Sequence, residues 1–268
     1  MRRAEWEGIS FTAVMLALAA LCFLLLVLPT IVVIVVSFTS GFSLKFPPPG
    51  YSFRWYAALL DAWQLQFAAS NSLQVAAGTT VLAVVLGVSA ALAIARSERW
   101  TARLLDSLFM SPLVLPALAF GLASLMFFTL IGLPVSPLTL IIGHMVVCVP
   151  YVVRTTVAAL AQLNPALLES STSLGASGIY TFRRVTLPLI RPGILAGGFI
   201  AFMSSFDNVP VSLFLRDART DMLPIRMWQD LEGKLDVTIA AVSGVLIVVT
   251  LALMLLMERV AGLSRRLR

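Results

Sequence analysis

A chain of 268 residues that is 59% hydrophobic and only 12% charged cannot clothe itself for water, since a soluble domain carries roughly 25% charged residues. Lipid must be the outer solvent for most of it. The net charge of +6 would suggest nucleic acid in a soluble protein, but here the basic residues lie between apolar runs and report on topology, so no nucleic-acid partner is invoked.

A helix crossing about 30 Å of hydrocarbon needs about 20 mostly apolar residues. The mixed-charge start, Met1-Arg2-Arg3-Ala4-Glu5-Trp6-Glu7, leads into residues 8–44, which hold no Asp, Glu, Lys or Arg. That run is longer than a signal-peptide core and shows no small-residue cleavage site, so it predicts a retained first span over 11–38. The charge-free stretch 62–95 predicts a second span over 68–95. The next, 107–153, is long enough for two, over 105–131 and 138–160, with a turn at Gly132-Leu133-Pro134 and Ser136-Pro137. Pro112 and Pro116 in the third span predict a kink accommodated by neighbouring helices, in preference to a gate. Residues 192–215 make a fifth span broken by one acid, Asp207, and 237–257 make the sixth. The fold class is all-α: a polytopic membrane protein of about six spans in a single domain over 1–268.

With the N-terminus in the cytoplasm, thirteen of the nineteen Lys and Arg fall on the cytoplasmic side, so both termini are assigned there. The five tryptophans lie near span ends or in connecting segments, as an interfacial belt requires. Cys22 and Cys148 are isolated in apolar runs and read as buried small hydrophobes. His144, in the fourth span, reads as a helix-packing hydrogen bonder. Asp61 and Asp106 sit near span ends and read as solvated.

Three connections are long: 41–66 and 216–236 outside, and 154–191 inside. In the inner one Asn164 can cap a helix with Pro165 at its first position. Leu167, Leu168, Ser171 and Leu174 recur at helical spacing, then Gly175 and Gly178 interrupt. Ile179, Phe182 and Val185 follow, beside Arg183 and Arg184, and Leu187-Pro188 is expected to stop the helix. The result is two short amphipathic helices at a glycine elbow over 161–191. Such a loop either lies on the membrane surface or docks in a groove of a soluble partner.

These residues carry a resemblance. Glu169-Ser170-Ser171, Gly175, Val185, Leu187 and Pro188 are similar to the EAA loop of the permease subunits of binding-protein-dependent ABC importers. That pattern is Glu-Ala-Ala, three residues, Gly, nine residues, an aliphatic, one residue, Leu-Pro. Ser170 and Ser171 replace two alanines with other small residues. The resemblance implies a type I, MetI-like permease of a bacterial inner membrane, with no cofactor of its own. It implies that the segment from Glu169 to Leu174 is a coupling helix docking on a dimer of ATP-binding subunits. A second permease, expected to be a homologous partner, and an external solute-binding protein received chiefly by residues 216–236 are implied as well, with membrane lipid around the whole.

Asp207 lies in Phe206-Asp207-Asn208-Val209-Pro210. An acid at the bilayer centre costs about 2.5–3.5 kcal/mol on insertion scales and usually faces a cavity or a partner. Pro210 is expected to free the carbonyl of Phe206, so that Asp207, Asn208 and that carbonyl form a polar spot suited to a cation. The competing reading is a structural kink near the outer end of the span. Phe206-Asp207-Asn208-Val209 and Leu223-Pro224-Ile225 resemble the C-type subunit of spermidine/putrescine-type permeases, which implies a polyamine-like substrate. Other small organic cations, amino-acid derivatives, thiamine-like solutes and ferric ion are alternatives.

No Gly-rich run ends in Lys followed by Ser or Thr, so ATP hydrolysis is expected on a separate subunit. No metal-ligand cluster and no catalytic triad can be assembled around one histidine. A stand-alone secondary transporter would show an internal repeat or polar groups in several spans, and neither is evident.

Overall fold

The computed structural model describes residues 2–217, 219–234 and 237–261, with the side chains of 2–10, 234 and 261 excepted. The side chains of Arg2, Arg3, Trp6 and Lys234, and residues Asp236, Arg265, Arg266 and Arg268, all used in the topology argument, lie outside the described residues.

The helices are α1 (Arg2–Ser37), α2 (Arg54–Ala58), α3 (Trp63–Arg96), α4 (Arg99–Met110), α5 (Ala117–Leu130), α6 (Pro137–Ala161), α7 (Pro165–Ser173), α8 (Gly178–Thr181), α9 (Leu187–Phe206), α10 (Val209–Leu215), α11 (Leu223–Lys234) and α12 (Thr238–Ala261). A 3-10 turn, Ser111–Leu113, ends α4, and a π turn, Phe182–Thr186, joins α8 to α9. Among the described residues, five helical stretches are long and apolar enough to cross a membrane, and a bent pair brings the number to six.

That bent pair falls where Pro112 and Pro116 predict a kink in the third span, expected over 105–131, and is far sharper than a kink within one helix. Arg99–Leu113 and Ala117–Leu130 meet at 96°. The cause is local. Pro112 and Pro116 each lack an N–H, and Pro116 adopts ψ 119° as it starts α5. The straight part, α5, has 14 residues and so spans only about 21 Å. The following turn forms where the sequence places it. Gly132 takes φ 74°, and Ser136 opens α6 with a capping box in which its hydroxyl accepts from Thr139 N–H and Thr139 Oγ1 accepts in return.

The chain divides into two compact units, residues up to 63 with 229–250, and residues 64–228 with 251 onward. In the first, α1 is exposed from Phe11 to Ile31 apart from a half-buried Val27, becoming buried at Val36 and Ser37, and Cys22 lies on that exposed surface. The expected burial of Cys22 therefore fails: α1 offers its sides to surrounding lipid or to another chain. The connection after α1 is ordered by side chains. Ser37 Oγ donates to the Ile34 carbonyl and shares a 2.7 Å hydrogen bond with the Tyr56 hydroxyl. Trp55 Nε1 donates to the Gly41 carbonyl at 3.1 Å, and the Arg54 guanidinium lies 4.0 Å from the Phe42 ring centroid.

The second unit is built on α6 against α9. Gly193 and Gly197, four apart on α9, let the two backbones approach. A Cβ at Gly193 would stand 2.6 Å from Ala159 Cβ, and one at Gly197 would stand 2.9 Å from Val152 Cα. Small residues at this spacing do the same work between helices in membranes generally. Gly121 plays the corresponding part between α5 and α10, where a Cβ would meet the Pro210 carbonyl oxygen at 2.6 Å. Cys148 is fully buried in this core, its thiol directed to the Ala201 carbonyl.

Candidate functional site

Two places in the second unit hold the residues that the sequence singles out. The first is the elbow after α6. Asn164 Oδ1 accepts from Ala166 N–H and Pro165 occupies the first turn, so α7 opens as the sequence predicts. It closes on a glycine-dependent cap. Gly175 takes φ 79°, its N–H donates to Thr172 O, and Ala176 N–H donates to Ser171 O. This paired closure needs a left-handed residue after the last helical turn, which is the physical reason for a glycine at that spacing. Ser171 Oγ and Thr181 Oγ1 share a 2.8 Å hydrogen bond that ties α7 to α8. The serine standing where the family prefers alanine thus locks the elbow.

Leu187-Pro188 does not stop the helix as expected. From Gly178 the chain runs through α8, the π turn and α9 as one candidate span, Gly178–Phe206. In the π turn Leu187 N–H reaches back to the Phe182 carbonyl, and Pro188 falls in the first turn of α9, where its missing N–H is tolerated. Val185 lies in that turn, and Leu187 and Pro188 follow it. The rim of the elbow is apolar and exposed: Leu174 is 87% accessible and Ile179 72%. Glu169 and Ser170 are exposed on the same short helix. An open cleft of about 580 Å³ lies between the end of α3 and α8, lined by Leu92, Arg96, Ser177, Gly178, Ile179 and Phe182.

The second place is the break in the fifth span. Asp207 ends α9 and Asn208 starts α10, and Asn208 Oδ1 accepts from Val211 N–H at 3.0 Å. The break thus falls at Asp207-Asn208. Pro210 sits in the first turn of α10, where the lost N–H costs nothing, so the expected proline-generated kink is corrected to a new helix start. The Asn208 carbonyl group is committed to that cap, which leaves Asp207 as the exposed acid of the trio. Phe206 stacks on Phe202, centroids 6.1 Å apart, and is half-buried.

What the sequence did not reveal is how this break is held. His144, fully buried on α6, shares hydrogen bonds with Ser205 Oγ (2.9 Å, Nδ1) and Ser212 Oγ (3.0 Å, Nε2). One imidazole thereby clamps both sides of the break. The helix-packing reading of His144 holds, but its partners lie on either side of a discontinuity that helical periodicity cannot see. Beyond α10, the Arg216 guanidinium pairs with Asp221 at 2.7 Å, and Asn71 Nδ2 donates to the Asp221 carbonyl at 3.0 Å. Leu223 N–H donates to the buried Ser72 hydroxyl. Asp217 caps its own turn, and the Thr220 hydroxyl holds its carboxyl below the usual range. Of the 216–236 connection, Ala218, Leu235 and Asp236 lie outside the described residues.

Residues 83–266 match the family of binding-protein-dependent transport system inner membrane components, and the chain belongs to that family. It is therefore a multi-pass inner-membrane permease subunit. The spermidine/putrescine transport system permease protein PotC of Escherichia coli is 27% identical over 237 residues, 88% of this chain and 89% of that one. The putrescine transport system permease protein PotI of the same organism is 30% identical over 210 residues, 76% and 74% of the two chains. A solved bacterial alginate ABC transporter, in complex with an alginate pentasaccharide-bound periplasmic protein, superposes with a TM-score of 0.73 at 18% identity, covering 98% of this chain and 97% of that one. That last likeness concerns the fold.

Proposed function

We propose that the chain forms half of the membrane path of an ATP-driven importer for a small cation of the polyamine kind. Spermidine and putrescine permeases are among its relatives, which supports this class of cargo, alongside a molybdenum permease of Mycobacterium bovis at 32% identity. The observation that carries the reading is Asp207. It is an exposed carboxylate at a helix break in a stretch, residues 192–215, with no other charge. A free carboxylate at membrane depth is costly unless it faces a cavity or a partner cation, and a diamine or triamine is such a partner.

The remaining parts follow from the elbow. Its exposed apolar rim, Leu174 and Ile179 with Glu169 beside them, fits a groove on an ATP-binding subunit. Closure of two such subunits would move α7. The π turn and α9 would pass that motion to the break at Asp207 as a rigid-body tilt. A second, homologous permease supplies the other half of the path. The external binding protein delivers solute to the 216–236 face, and both termini lie in the cytoplasm.

Uptake of radiolabelled spermidine tests the reading. Asp207→Asn removes the charge at nearly constant shape and is expected to lower uptake on the order of tenfold, the loss of one partly solvated ion pair. Asp207→Glu is expected to retain most of it. Wild-type uptake by an equally expressed Asp207→Asn protein would remove Asp207 from the path.

A further inference from the structure

The bend in the third span leaves α4 in an unusual position. Arg99–Leu113 stands at 96° to α5, so with α5 taken along the membrane normal α4 would lie along the membrane plane. At 12 residues, about 18 Å, α4 is too short to cross by itself. It has two apolar faces. Ala102, Leu105 and Phe109 pack on the buried cluster of Cys148, Val149, Val152 and Val153. On the other side Trp100, Leu104 and Leu108, one turn apart each, are 67%, 56% and 64% exposed. The protein core therefore occupies one stripe and leaves the other uncovered.

The charges beside the uncovered stripe have one sign in excess. Arg96, Arg99 and Arg103 are all exposed, with Glu98 the acid among them. Asp106, one turn after Arg103, has its carboxylate 3.8 Å from the Arg154 guanidinium on α6. Arg103 Nε donates to the Arg99 carbonyl, which holds its guanidinium along the flank of the helix. An in-plane helix with a tryptophan and two leucines on one side and arginines at their edge matches an interfacial lipid-binding helix. The apolar stripe enters the acyl boundary and the guanidinium groups meet headgroup phosphates.

We infer that α4 is an anionic-phospholipid binding element. Arg99 and Arg103, with Arg96 one turn earlier, hold the phosphates of lipids such as phosphatidylglycerol, while Trp100, Leu104 and Leu108 sit among the upper acyl carbons. The inference depends on the membrane-spanning fold and is independent of the solute. Because Arg96 and α8 line the same cleft, lipid held here lies beside the elbow.

The test uses the full-length chain in nanodiscs of phosphatidylcholine and phosphatidylglycerol at 3:1, with the lipids that remain bound counted by native mass spectrometry. Wild type is expected to retain phosphatidylglycerol in excess of its share. The Arg99→Gln, Arg103→Gln pair is expected to lose that preference on the order of tenfold, since each arginine near an anionic surface contributes severalfold to affinity. The Arg99→Lys, Arg103→Lys pair is expected to keep most of it, which separates charge from folding. Trp100 emission, taken as wild type minus Trp100→Phe, is expected to be quenched by phosphatidylglycerol brominated at acyl positions 6 and 7. No lipid preference in wild type, an unchanged preference in the glutamine pair, or an unquenched Trp100 covered by a protein partner would each overturn the inference.

Discussion

An aspartate in place of Leu174 is expected to abolish retention of the ATP-binding subunit and to lower solute uptake more than a hundredfold, while the isolated chain melts as wild type does. Leu174 is 87% exposed and touches no core, so folding has nothing to lose there. Docking has much to lose. Burying one leucine at a partner is worth about 1.5–3 kcal/mol, and a carboxylate left unpaired in the same groove adds several more. Single central anchors commonly dominate such interfaces. Purification from native membranes in mild detergent, with the bound subunit quantified, reads the effect directly. Retention equal to wild type would place the docking surface elsewhere.

Removing the imidazole of His144 acts in the opposite manner, through folding. His144→Ala leaves the buried Ser205 and Ser212 hydroxyls without their imidazole partner and opens a cavity between α6, α9 and α10. Hydrogen bonds between membrane helices are worth about 0.6–1.7 kcal/mol each, and a cavity the size of an imidazole about 2–3 more. The expected loss is on the order of 3–5 kcal/mol, visible as a lowered melting temperature in detergent. A His144→Ala, Ser205→Ala, Ser212→Ala triple variant is expected to recover part of that loss, because no hydroxyl is then stranded. A triple variant no more stable than His144→Ala would show that the clamp contributes nothing beyond volume.

These two residues also mark what the sequence makes legible and what it does not. The elbow was readable because its signals are local: Asn164-Pro165 at one end and Gly175 at the other lie within a few residues of the hydrogen bonds they make. Hydropathy likewise marked apolar runs that form long helices among the described residues. Pro112 and Pro116 marked a kink in the third span, but hydropathy could not give its size, since Ser111–Pro116 is as apolar as the helices it separates and the bend reaches 96°. The Leu187-Pro188 stop failed because a π turn upstream absorbed the proline, a register shift with no sequence signature. The Gly193 and Gly197 pair was visible in the chain, but its meaning depends on α6 lying opposite. Asp207 was conspicuous as a lone acid, whereas the commitment of Asn208 to a helix cap required the break to be located first.

In the proposed function this permease subunit works through a separate ATP-hydrolysing partner to carry a polyamine-like cation. Proteoliposomes holding the chain with its co-purified partners, loaded with ATP inside and given binding protein and radiolabelled spermidine outside, test it most directly. Accumulation with ATP and none with a non-hydrolysable analogue is the predicted result. Accumulation that proceeds equally without ATP, or with the chain as the only protein present, would contradict it.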